Sequence, residues 1–258
     1  MTSFSKYEGL GNDFVIVDAA GPLAPEAVAR LCDRHFGVGA DGVLVVTPPR
    51  SAGSTASMIV QNADGSRPEM CGNGLRCVAV HVVRQRGAAS SIVIDTDAGP
   101  RGCEVAGDEV RIDMGVARED GDIEIGVLDR TLTLARVDMG NPHAITFDDL
   151  GEGVFTQLGP RVATHPAFPA GTNFEVARRR PDGSLDVVVW ERGVGPTLAC
   201  GTGACAVVVR ACRLGFVPYG REVAVHLPGG ALSITVDASL RVSMRGPARR
   251  VFVGEASW

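Results

Sequence analysis

Met70-Cys71-Gly72-Asn73-Gly74-Leu75-Arg76 places a thiol just before small, flexible positions, and an apolar run at helical spacing follows from Leu75 through Val78, Val82 and Val83. The chain repeats the arrangement at Ala199-Cys200-Gly201-Thr202-Gly203-Ala204-Cys205-Ala206. Each cysteine is thus expected at the mouth of a helix, one ended by Gly87 and the other by Gly215. A helix start offers free backbone N–H groups and partial positive charge, which lower a thiol pKa and grip an anion. Either thiol alone reads equally as a small buried filler. The repetition favours function.

The duplication extends outward from the cysteines. Cys71 to Cys200 is a shift of 129 residues, and Gly99 to Gly229 and Met114 to Met244 are shifts of 130. Asn12-Asp13-Phe14 also echoes Thr172-Asn173-Phe174, at the larger shift of 160. Two similar units from duplication follow, since a solenoid needs shorter periods and more copies. Short strands are expected at Phe14–Asp18, Met58–Gln61, Ile92–Asp95, Gly102–Ala106 and Glu109–Met114, and a helix at Pro25–Phe36 with Gly37 as its stop. The second half matches with strands at Thr131–Asp138, Phe174–Val176, Leu185–Trp190, Val223–Leu227, Ala231–Val236 and Leu240–Met244. The expected fold is α/β (α+β): two similar lobes, each with antiparallel-rich sheets wrapped around a central helix, and an active site in the interlobe cleft. The lobes are expected at 1–117, with the tail 249–258 possibly joining it, and at 118–248. The boundary falls in the charged, turn-rich stretch Val116 to Asp122.

Composition narrows the function. The 258 residues carry a net charge of −5 and 5% aromatics, which argues against nucleic acid and anionic membrane as partners. No apolar run is long enough to span a bilayer, and Met1 to Phe14 lacks a signal-peptide pattern. Seven cysteines, an odd number without a secretion signal, read as free thiols in a reducing cytoplasm. No C-x-x-C pair exists, so no metal is expected. Gly37-Val38-Gly39-Ala40-Asp41-Gly42 matches G-x-G-x-x-G literally. It leads into the strand-like Val43-Leu44-Val45-Val46, where a dinucleotide site requires a helix.

Matched thiols suit stereoinversion. One thiolate takes a Cα proton, the opposing thiol returns a proton to the other face, and reversal swaps the roles. A Cα–H beside a carboxylate is a far weaker acid than a thiol of pKa about 8.5, so the site must stabilise a carbanion electrostatically with water excluded. The amides of Gly72, Asn73, Gly201 and Thr202 are candidates for that task. No lysine lies in a recognisable pyridoxal-phosphate motif, so the chemistry reads as cofactor-free.

At these residues the chain resembles the diaminopimelate epimerase family. The stretches that carry the resemblance are Gly9–Phe14, Asn62–Ser66, Met70–Gly74, Gly140–His143, Gly171–Phe174, Glu191–Gly195 and Ala199–Gly203, in the family's order. The resemblance implies interconversion of LL- and meso-diaminopimelate without pyridoxal phosphate, in lysine and cell-wall synthesis, by a homodimer that closes on its substrate. It implies Cys71 and Cys200 as the two acid/base residues, and Gly72-Asn73 and Gly201-Thr202 as the carboxylate cradle. Asn12, Asn62, Asn141, Asn173 and Arg192 become the polar grip on substrate, and His143 and Glu191 the pair supporting thiol ionisation, with Glu191 also in the substrate set. Arg suits the distal carboxylate, and Asn side chains both donate and accept. One departure is visible: many relatives carry Gln where this chain has Gly42, so a side-chain contact there is lost.

Plainer readings stand beside these. The four asparagines lie beside or within a few residues of glycine or proline and suit turns, and Glu191-Arg192 suits a surface ion pair. Cys32, Cys77, Cys103, Cys205 and Cys212 read as core. Rival functions are the same machinery on histidine or proline, a ligand-binding protein in which the thiols are dispensable, and a redox protein cycling Cys71 and Cys200 through a disulfide. In the epimerase reading such a disulfide inactivates.

Overall fold

The order of elements repeats, with one short strand added before the last helix, in the computed structural model, which describes residues 2–151 and 153–256. The chain divides into two compact units, Met1–Asp113 with Arg245–Trp258, and Met114–Met244. Ser257 and Trp258 of the tail lie outside the described residues. The first half of the chain runs β1 (Thr2–Gly9), β2 (Asn12–Asp18), α1 (Pro25–Cys32), β3 (Gly42–Thr47), β4 (Ala56–Asn62), α2 (Gly72–Arg86), β5 (Ser91–Thr96), β6 (Gly99–Ala106), β7 (Glu109–Val116) and β8 (Arg118–Val127). The second runs β9 (Arg130–Asp138), β10 (Pro142–Thr146), α3 (Val154–Ala163), β11 (Asn173–Arg179), β12 (Leu185–Glu191), β13 (Gly195–Thr197), α4 (Gly201–Arg213), β14 (Val223–Leu227), β15 (Gly230–Val236), β16 (Arg241–Pro247) and β17 (Arg249–Ala256).

Strand pairing repeats with the order. In the first unit β1 and β2 form an antiparallel hairpin, turned at Leu10 and Gly11, both with positive φ. β2 then runs parallel to β3 with Phe14 opposite Gly42, and β3 runs antiparallel to β4 with Gly42 opposite Asn62. In the second unit β9 pairs antiparallel with β10, β10 runs parallel to β11 with His143 opposite Asn173, and β11 runs antiparallel to β12. These registers make His143 the counterpart of Phe14, Asn173 of Gly42, Glu175 of Leu44 and Glu191 of Asn62. The counterpart of Asn12 is therefore Asn141, at the 129-residue shift of the cysteines. The echo of Asn12-Asp13-Phe14 in Thr172-Asn173-Phe174 is shared turn chemistry on non-equivalent strands.

Each sheet wraps a helix. α2 is buried on every side from Gly72 to Val82, packing on β1, β2, β3, β4, β6 and β17. α4 is buried almost throughout and packs on β9, β10, β11, β12 and β15. A helix covered on all sides belongs inside a core, which is why both are rich in Val, Ala and Cys, and the polar Asn73, Arg76 and His81 of α2 are buried with them. Among the described residues no helix is long and apolar enough to cross a membrane.

Three local expectations are corrected. α1 stops at Cys32 rather than Phe36, because Asp33 leaves the helical region and its Oδ1 accepts the amides of His35 at 2.7 Å and Phe36 at 2.8 Å. The stretch Val116 to Asp122 is strand rather than turn. Most of it lies in β8, a ten-residue strand paired along β9, whose charges are matched by Arg118 to Asp120 and Asp138. α3 had no expected helix, since Gly159 and Pro160 interrupt its pattern. A Cβ on Gly159 would meet the Trp190 ring at 2.4 Å, so glycine is what lets the helix lie against the indole.

Candidate active site

Both cysteines occupy the residue that caps a buried helix. Cys71 (φ −136°, ψ 113°) precedes α2, and its Sγ accepts the Gly74 amide at 3.4 Å. Cys200 (φ −121°, ψ 110°) precedes α4, and its Sγ accepts the Gly203 amide at 3.4 Å. Extended backbone at the cap followed by helical residues turns the side chain back over the first turn, where a sulfur replaces the usual Ser or Asp oxygen. Gly201 and Thr202 fill the first two helical positions, whose amides have no carbonyl one turn earlier to bond.

In the first unit the cysteine stands beside a chain of amides. The Asn73 Nδ2 donates to Asn12 Oδ1 at 3.2 Å, and Arg76 donates to Asn73 Oδ1 at 3.0 Å and to the Pro247 carbonyl at 3.1 Å. Arg76 is fully buried. From its other side Asn12 donates to Asp41 at 2.6 Å, and Asp41 is held by Arg34 at 2.7 Å. Arg34 and Lys6 in turn pair with Asp13, which holds that carboxyl below the usual range against its burial. Asn62 donates to Ser66 Oγ at 3.0 Å, in a turn whose Ala63 amide reaches the Asp41 carbonyl. The G-x-G-x-x-G stretch is thus the clasp on the Asn12 and Asn62 turns.

In the second unit the cysteine stands beside acids. His143, 1% exposed, pairs its Nδ1 with Glu175 Oε1 at 2.7 Å and its Nε2 with Asn141 Oδ1 at 3.1 Å. Thr197 Oγ1 donates to Glu191 Oε1 at 2.6 Å. Asn173 donates to the Pro142 carbonyl at 3.2 Å and accepts the Arg192 amide at 2.9 Å. The exposed Arg192 guanidinium gives one N–H to the Ala170 carbonyl at 2.6 Å. Thr202 Oγ1 lies 3.5 Å from Cys200 Sγ.

The electrostatics correct one expectation. Burial, then the neighbouring Glu191 and Glu175, push the Cys200 thiol well above its ordinary value, outweighing the Thr202 hydroxyl and the Gly203 amide. The helix mouth does not by itself make this thiol acidic. Burial also raises Glu191, despite Thr197, and Glu175, despite His143. The remaining core thiols behave as fillers: burial lifts Cys32 and Cys212 to about 11 and Cys103 to about 12.

The model of the family described as diaminopimelate epimerase matches residues 4–119 and 135–251, once in each half. The chain belongs to the diaminopimelate epimerase family. Curated family members named diaminopimelate epimerase are 46% identical in Desulforudis audaxviator and 42% in a Synechocystis, each across 98% of both chains. The resemblance read from the motifs is borne out. Solved structures share the fold at low identity: a probable proline racemase from Agrobacterium radiobacter (TM-score 0.78, 14% identical, covering all of this chain and 93% of that one) and a hydroxyproline epimerase from Agrobacterium vitis (0.77, 13%, 98% and 91%).

Inside the first unit the expected family positions Asn12, Asn73 and Cys71 gather around the mouth of α2. Inside the second Asn141, His143, Glu191, Thr202 and Cys200 gather around the mouth of α4. Sequence reading passed over Asp41, Arg76, Thr197 and Glu175. Asp41 was signalled by its place in a motif without nucleotide context, and Glu175 by an acid at an inward position of an apolar strand.

Proposed function

We propose that this chain interconverts LL- and meso-diaminopimelate without a cofactor, Cys71 and Cys200 exchanging the Cα proton. The observation that carries the reading is the duplicated thiol cap: two sulfurs in the same backbone conformation, each accepting the third amide of a buried helix. Inversion at a tetrahedral carbon removes a proton from one face and returns one to the other, so chemically equal groups serve both directions. The amides of the first helical turn point out of the helix mouth and supply fixed donors for the charge that develops on the substrate carboxylate. Gly72, Asn73, Gly201 and Thr202 form that cradle. Asn12, Asn62, Asn141, Asn173 and Arg192 grip the distal amino-acid centre, and His143 and Glu191 balance protons at Cys200.

The working form is a homodimer in this reading. Val251, Phe252 and Val253 on β17 are 58%, 45% and 60% exposed, a run of apolar side chains on a strand paired with β1. A second copy covering it gives a concentration-dependent sedimentation coefficient, lost on Phe252→Glu. The enzyme acts in the cytoplasm, where both reactive sulfurs stay reduced.

The test is solvent-deuterium exchange at Cα of LL-diaminopimelate with wild type, Cys71→Ala and Cys200→Ala. Wild type incorporates deuterium with inversion and either variant loses inversion. Retained inversion in a variant, or turnover of histidine or proline with none of diaminopimelate, overturns the reading.

A further inference from the structure

The two thiol caps share a backbone but not a backing. A Cβ on Gly74 would meet Leu44 Cδ2 at 2.9 Å, whereas one on Gly203 would meet Glu175 Oε1 at 2.7 Å and Cys200 Sγ at 3.3 Å. A carboxylate oxygen and the reactive sulfur therefore sit against the same small residue in the second unit. Strand register assigns Leu44 and Glu175 to equivalent positions, and likewise Phe14 and His143. The first unit fills these places with apolar side chains, and the second fills them with a buried acid and an imidazole.

We propose that Glu175 is a positioning residue that, through its pair with His143, sets the proton state of Cys200 and makes the two thiols electrically unequal. The proposal rests on Cys200 being one of the two bases. Glu175 is wholly buried, its Oε1 is engaged by His143 Nδ1, and its Oε2 has no hydrogen-bond partner among the described residues. In the tautomer in which His143 Nε2 donates to Asn141 Oδ1, 3.1 Å away, one further proton is shared between Nδ1 and Oε1. While it is held there the pair is neutral overall, whichever atom carries it. Once it leaves, one negative charge remains buried beside Cys200. Charges at such range in a poorly solvated site exclude one another, so the pair and the thiol do not both ionise.

The groups facing Cys200 are few. Among the described residues they are Glu191 from β12, Glu175 from β11 and the Thr202 hydroxyl from α4, with His143 from β10 acting through Glu175. Glu191 is raised by Glu175 as well, so removal of Glu175 relieves both of its neighbours. Cys200 consequently rests as the proton donor, and its conversion to a base requires the pair to be charged with its proton first. No group at the Leu44 and Phe14 positions can impose that order on Cys71.

The ultraviolet absorbance of the thiolate, titrated with pH as the difference between each protein and its Cys200→Ala form, reads this directly. Glu175→Gln keeps the shape and removes the acid. It is expected to lower the Cys200 midpoint by at least one pH unit, tenfold more thiolate at a fixed lower pH. The Cys71 midpoint, read against Cys71→Ala, stays in place. Glu175→Leu combined with His143→Phe copies the packing of the first unit and gives a second folded test with the same expected shift. A Cys200 midpoint unchanged in a folded variant, or an equal shift at Cys71, overturns the proposal, as does unfolding of both variants, which makes Glu175 a structural residue. The titration needs no substrate. A wild type that leaves LL-diaminopimelate unexchanged sinks the epimerase reading and the role of the Cys200 proton in turnover, while the titration still decides whether Glu175 sets the proton state of Cys200.

Discussion

The first unit backs its thiol cap with amides, hydrocarbon and the buried Arg76, and the second backs the same cap with carboxyl groups and an imidazole. Asn62 stands where Glu191 stands, Leu44 where Glu175 stands, and Phe14 where His143 stands. Duplication preserved what the backbone must do, which is to present a sulfur at a helix mouth. The side chains one layer behind diverged. A pair that is symmetrical in chemistry is thereby made unsymmetrical in charge, and proton inventory becomes the task of one unit alone.

The comparison breaks first at the sulfurs themselves. Cys71→Ala and Cys200→Ala are each expected to slow epimerisation by about a thousandfold, the usual weight of a positioned acid or base. Progress curves by circular dichroism check this, and a variant within tenfold of wild type would show that its thiol is not a partner of the other.

Exchanging the backing comes next. Leu44→Glu places an acid in the apolar site without an imidazole to meet it, at a cost of about 3 kcal/mol or more in urea unfolding. Its penalty grows with pH, because a carboxyl raised by burial holds more protons folded than unfolded, and stability falls as pH rises through the folded value. The same sign applies to Glu175 in the wild type. Stability held below the ordinary carboxylate range is lost on going upward, and Glu175→Gln flattens that slope. A Leu44→Glu protein as stable as wild type at neutral pH would show the two backings to be interchangeable.

The glycines at the third helical position give a smaller contrast. Gly203→Ala drives a methyl against the buried carboxylate and is expected to cost about 2 kcal/mol, whereas Gly74→Ala meets the mobile end of Leu44 and costs less than about 1 kcal/mol. Equal thermal midpoints for the two variants would remove the distinction.

The smallest effect concerns the asparagines. Asp41→Ala frees the Asn12 side-chain amide and is expected to raise KM about tenfold with kcat little changed, as uniform binding is lost. A fall in kcat at constant KM would place Asp41 nearer the chemistry than its hydrogen bonds do.

Much of this architecture is written in short-range pattern. The thiol caps are legible because a cap, two flexible positions and a buried helix leave a continuous signature. The strands read from Val and Ile runs because burial on one or both faces imposes them. α3 was hidden because its Gly159 answers to a distant indole and not to helix propensity. β8 was hidden because its exposed face is charged, and strand identity there comes from pairing with β9. Glu175 was passed over for a related reason. Nothing within its own strand tells an inward acid from a misplaced surface one, and only the parallel register with β10 brings His143 to it. The acidity of Cys200 was misjudged because a helix mouth is local, while the carboxylates that oppose it arrive from two other strands.

Gly42 sets the spacing of two strands. A Cβ at this position would lie 2.7 Å from the Gln61 carbonyl oxygen of the neighbouring strand, and 3.6 Å from Asn62 Cα. With no side chain here β4 lies close against β3, and any larger residue requires the two strands to part first. Gly42→Gln is therefore a change to the sheet before it is a change to the pocket beside it.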